Sequence, residues 1–125
     1  MGEGKESFPA TVEYKLTGND SALVETLGPR SPYEMVSVYT MDYDNLVMTH
    51  YCGAGNQPSM KLKPGKDANV LFFDFVSGKN MKPNDMHMHR ATFTFAGSDH
   101  VVSVWQSFQG GKPGEKATFD FHRVK

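Results

Sequence analysis

At 125 residues the chain is long enough for one domain with a single core. Hydrophobic residues make up 38% and aromatic residues 12%, which excludes a disordered chain. Thirteen Lys and Arg against fourteen Asp and Glu give a formal net charge of −1, with no basic block, which argues against nucleic acid as the main partner. No apolar run approaches the roughly 18 residues that a membrane helix needs. The opening MGEGKESFPA lacks the apolar core of a secretory signal. Cys52 is the single cysteine, so an internal disulfide is ruled out. These features lead to the expectation of a cytoplasmic protein with no membrane partner.

The chain then reads as short strands punctuated by turns. Residues 1–8 are polar and are expected as a loose end. Thr11–Thr17 alternates, with Val12, Tyr14 and Leu16 on one face. Gly18-Asn19-Asp20 turns the chain into Ser21–Leu27, where Leu23, Glu25 and Leu27 share a face. Pro29 and Pro32 end that strand, because proline cannot donate to a ladder. Glu34–Met41 and Leu46–Cys52 follow, joined by Asp42-Tyr43-Asp44-Asn45 and closed by the glycine-broken corner Gly53–Pro58. Ser59–Lys63, Asn69–Val76, Met86–Phe95, His100–Phe108 and Ala117–Val124 complete the set. Ser77–Asp85 is expected as the longest loop and Gln109–Gly114 as a loose turn. No segment carries a helical period. Many short strands at even spacing predict an all-β antiparallel up-and-down meander of about 8–9 strands, closing into a single barrel domain. Closure would hide the sheet edges.

In such a barrel alternate residues face inward. His50 shares a face with Leu46, Met48 and Cys52, and His87 and His89 share one with Ala91, Phe93 and Phe95. Trp105 lies with Val101 and Ser103, Glu34 with Val36 and Val38, and Asp74 with Val70, Phe72 and Val76. An apolar, aromatic interior carrying a few polar groups describes a small-ligand pocket, and methionines at 35, 48, 60, 86 and 88 give it an adaptable wall. The candidate ligand-binding residues are therefore Glu34, His50, Asn56, Gln57, His87, His89 and Trp105. For each histidine the plain alternative is a hydrogen-bonded core residue. His87 and His89 at i, i+2 can reach one ion, with His50, Glu34 or Asp74 to complete it, but HxH is a weak signal and no metal or cofactor is expected. Cys52 reads as a buried, inert thiol. Gly53-Ala54-Gly55-Asn56-Gln57-Pro58 has no helix behind it and is no phosphate loop.

Glu25-Thr26-Leu27, Glu34-Met35-Val36, the run THYCGAGNQPSM from Thr49 to Met60, and His87-Met88-His89 together resemble a group of uncharacterised bacterial lipocalin-like proteins of the calycin type. The resemblance implies a meandering antiparallel barrel and, by analogy with related barrels, a small hydrophobic or amphipathic partner. Relatives of this type carry a further N-terminal stretch, so a shorter or partly open barrel is expected here, with an edge that invites a homodimer. Three other functions stay open at this point. One is an isomerase, lyase or hydrolase using a buried His beside Glu34 or Asp74. Another is a metal- or haem-binding barrel. The last is a structural domain filled by its own side chains.

Overall fold

The structure, a computed structural model, describes residues 5–7 and 10–124. Ten strands run β1 Lys5–Ser7, β2 Val12–Thr17, β3 Ala22–Leu27, β4 Met35–Asp42, β5 Asn45–Tyr51, β6 Gln57–Lys63, β7 Val70–Lys79, β8 His87–Phe95, β9 His100–Gln109 and β10 Lys112–His122. They form one sheet in the order β1-β10-β9-β8-β7-β6-β5-β4-β3-β2. From β2 to β10 each strand pairs antiparallel with the next, as short polar turns dictate. Part of the expected loose end is ordered. Residues 5–7 form β1, which lies parallel to β10 with Lys5 opposite Lys116. The remainder of 1–8 falls outside the described residues.

The turns explain the tight meander. Gly18, Asn19 and Asp20 all take φ near +60°, a left-handed run that Gly and Asn tolerate. Gly110 and Gly111 have φ of 61° and 78°, the two-residue turn whose twist matches a hairpin. β10 therefore begins at Lys112, and most of the expected loose turn is strand. Pro113 is accommodated there because the β9–β10 register shifts between Pro113 and Lys116. β7 likewise runs to Lys79, three residues beyond the expected end.

The sheet curls so that one face is concave. On it lie Met48, Met60, Phe73, Ala91, Phe93, Trp105 and Phe119, the buried core contributed by β5 to β10. The rings meet edge to face: Phe73 to Phe93 at 5.9 Å, Phe93 to Trp105 at 5.9 Å and Tyr39 to Phe73 at 5.8 Å between centroids. The curl stops short of closure. β2 pairs with β3 alone, and among the described residues nothing pairs β2 with β1 or β10. The result is a strongly curled, open half-barrel rather than a closed one. Among the described residues no helix is long and apolar enough to cross a membrane.

Two acidic residues lie away from the interior expected for them. In β7 the concave side carries Leu71 and Phe73, which belong to the core and its margin, so Asp74 points to the convex side. There it lies opposite Arg90 and accepts a bond from Arg90 Nε at 3.2 Å. The run VLFFDFV is apolar on both faces, so its period could not decide. Glu34 precedes β4 and is exposed, and its Oε2 accepts from the Arg30 backbone N–H at 3.0 Å. Asp74→Ala is expected to cost less than about 1 kcal/mol in urea unfolding, because a half-exposed pair is screened. A loss above about 2 kcal/mol would restore Asp74 to the interior.

Candidate functional site

The two ends of the half-barrel differ. One end carries the turns around residues 28–34, 52–56 and 80–86, and the sequence-predicted polar residues collect towards it. Ser37 in β4 lies opposite both Glu25 in β3 and His50 in β5, so three polar side chains stand in one row across three strands. All three are buried. His50 Nδ1 lies 2.8 Å from Ser37 Oγ, and its ring packs 4.7 Å from Trp105. Glu25 accepts from Tyr14 Oη at 2.6 Å and from Tyr39 Oη at 2.8 Å, and Ser37 faces it from the next strand. Ser37 has one proton to give. Donated to the carboxylate, it requires His50 to carry its own proton on Nδ1.

Electrostatics follow burial. Removal from water pushes the His50 pKa down to about 4, so the ring is held neutral. The Glu25 carboxyl is pushed up by burial, against the pull of the Tyr14, Tyr39 and Ser37 hydroxyls. Burial and the neighbouring Glu25 both drive the Tyr14 and Tyr39 hydroxyls upward, so each stays a donor. Sequence reasoning did not single out Glu25 as a site residue. Its signal was a carboxylate between Leu23 and Leu27 on one strand face.

The HxH pair has its own arrangement. His87 Nδ1 lies 2.8 Å from the Asp85 carbonyl oxygen, which can only accept, so that nitrogen carries a proton. His87 Nε2 lies 2.8 Å from His89 Nδ1. The register slips between Met88 and Arg90, and this bulge turns His89 onto its neighbour. His89 is stacked between Phe75 at 4.8 Å and Phe108 at 4.0 Å. Burial, and then the proximity of His87, lower its pKa. The two rings bond each other. Asn56 is buried and its Nδ2 donates to the Met86 carbonyl at 2.9 Å. Gln57 accepts from Asn80 Nδ2 at 2.7 Å, tying the corner to the β7–β8 loop. Cys52 Sγ accepts from the Ala54 N–H at 3.4 Å.

The cavity lies elsewhere. It has a volume of about 810 Å³ and runs along the open seam between β2 and β10, towards the end that carries the turns at 18–21 and 96–99. Its apolar wall is Leu23, Tyr39, Leu46, Leu71, Phe73, Phe93 and Phe121, and its polar rim includes Asp99, His100, Asp120, His122 and Arg123. None of Glu34, His50, Asn56, Gln57, His87, His89 and Trp105 is among its lining residues. Tyr14 and Tyr39 join the two regions, since both line the cavity and both bond Glu25 behind it.

No protein-family model matches the chain, and neither a curated protein nor a solved structure matches it. The all-strand meander is compatible with a lipocalin-like fold.

Proposed function

We propose that the half-barrel binds a small, partly apolar molecule in the cavity along its seam. The cavity carries this reading. Its volume falls within the roughly 300–1,000 Å³ of small-molecule sites, and an aromatic, aliphatic wall leads to a polar rim. The wall takes the apolar body, and the rim takes the polar end. The Tyr14 and Tyr39 hydroxyls are held by Glu25, so the inner wall is fixed before a ligand arrives. The buried row Glu25–Ser37–His50 then supports the wall instead of touching the ligand, which differs from the site read from sequence. The lipocalin-like relationship implied by the sequence motifs agrees with this function. The open edge of β2, with Tyr14 and Leu16 about half exposed, offers a place for a second copy to pair, and we include a homodimer in the proposal.

The test uses 1-anilinonaphthalene-8-sulfonate, an amphipathic fluorescent probe, with native mass spectrometry of the freshly purified protein. Saturable binding of about one probe per chain is expected. Leu71→Trp, which fills the wall, is expected to weaken it at least tenfold while circular dichroism stays that of the parent. Absence of saturable binding, or equal binding by a folded Leu71→Trp, would sink the reading.

A further inference from the structure

We infer that His100, Asp120 and His122 form a binding site for one divalent transition-metal ion at the rim of the cavity. The register creates the site. β9 opens on His100 and β10 ends at His122, and the two are direct cross-strand partners. Asp120 precedes His122 by two residues, so both project from one face of β10. Three side chains that are scattered in sequence thus converge on one spot.

Their ligand atoms lie within 4.8 Å of one another. His100 Nε2 is 2.5 Å from Asp120 Oδ1, and His122 Nδ1 is 3.8 Å from the same oxygen. An ion holding such atoms tetrahedrally at bonds near 2.0–2.1 Å sets them about 3.3 Å apart. The two separations from Asp120 bracket that value, and the histidine nitrogens lie within 4.8 Å of each other, so side-chain rotations bring all three to one ion. The second separation exceeds hydrogen-bond reach, which leaves the His122 nitrogen uncommitted to the carboxylate. The two imidazole rings stack at 4.0 Å and 16°.

Chemistry selects the class of ion. Two imidazoles and one carboxylate suit zinc, cobalt, nickel or copper better than magnesium or calcium, which prefer all-oxygen sets. The nearest cation in sequence, Arg123, is already engaged: its Nε donates to Asp99 Oδ1 at 2.8 Å and its Nη2 to the Ser98 carbonyl at 3.1 Å. The Asp120 charge is therefore not spent on that guanidinium. His122 and Asp120 are more than half exposed at the side chain, so an ion reaches them from water. Three protein ligands leave at least one position open, and all three residues belong to the cavity lining. The metal site stands whatever the cavity holds, because the ion alone is the probe.

The experiment is a titration of Co²⁺ into metal-stripped protein, read by its visible absorption bands, followed by competition with Zn²⁺. One equivalent is expected to bind with bands of a four- or five-coordinate ion, and Zn²⁺ is expected to displace it. His100→Ala, Asp120→Asn and His122→Ala are each expected to weaken binding at least tenfold, while His89→Gln leaves it unchanged. Excess Zn²⁺ is expected to raise the melting temperature of the parent protein and not that of His122→Ala. Asp120→Asn and His122→Ala change exposed positions and are expected to fold, so a loss of binding there reports the site. The assignment is overturned by any of three results: no stoichiometric binding at millimolar Co²⁺, undiminished binding in the His100→Ala/His122→Ala double variant, or loss confined to His89→Gln.

Discussion

Acidifying the protein from pH 7 to pH 4 is expected to remove about 3 kcal/mol of folding stability through His50 alone, at about 1.4 kcal/mol for each tenfold change in proton affinity. The folded pKa is lowered to about 4 from an ordinary 6.5, with burial as the cause. In the window between these values the unfolded chain binds a proton at this site and the folded chain does not, so stability falls as the pH falls. The loss levels off once the pH has dropped below the folded value. Glu25 acts in the opposite sense. Its raised pKa means that the folded chain holds a proton at a pH where the unfolded chain has released it, so falling pH favours folding through Glu25. The two effects are separated by comparing slopes. Urea unfolding free energy against pH is expected to flatten between pH 6.5 and 4 in His50→Gln, even though that variant is less stable at pH 7. Parallel slopes for the two proteins would show that His50 titrates normally and is not sealed behind Trp105.

Truncating Phe73 to Ala is expected to cost about 3–5 kcal/mol, the range for a fully buried aromatic ring. Phe73 is 1% exposed and meets Tyr39 at 5.8 Å and Phe93 at 5.9 Å. Each such ring contact adds roughly 0.5–1.5 kcal/mol beyond burial. Phe73 also lines the cavity, so the change enlarges a space already open to the seam. Tyr39 loses its side support as well, which loosens its hold on Glu25. The denaturation midpoint is expected to drop with little change in slope, and Phe73→Leu is expected to recover more than half of the loss. A cost under about 1 kcal/mol for Phe73→Ala would mean that this ring does not form the centre of the core.

Much of this architecture is legible in the residues. Alternation in Leu46–Cys52 put Met48 and His50 on one face, and that in His100–Phe108 put Trp105 with Val101 and Ser103; these are the buried faces. Turn residues set the boundaries of β2 to β9 to within three residues, since Gly and Asn at left-handed positions leave few alternatives. VLFFDFV carried no such contrast, and Asp74 was placed on the wrong face. The cavity was not legible. It arises where the first and last strands of the meander fail to meet, and that gap depends on the accumulated twist and curl of the whole sheet. The His100–Asp120–His122 group was hidden for a related reason. It exists through a cross-strand register, and in the sequence His100 lies twenty residues before Asp120.

The short strand β1 bears on the order in which the molecule assembles. From β2 to β10 every pairing joins consecutive strands, so each hairpin forms by closing a short loop and adds to the one before it. β1 breaks that pattern. Lys5 lies opposite Lys116, so β1 finds its partner only once the last strand of the sheet has been made. On a ribosome the meander can zip from its N-terminal hairpin onward while β1 waits. The last step is then the capture of β1 by β10, which covers part of the newest edge and leaves the oldest edge, β2, open.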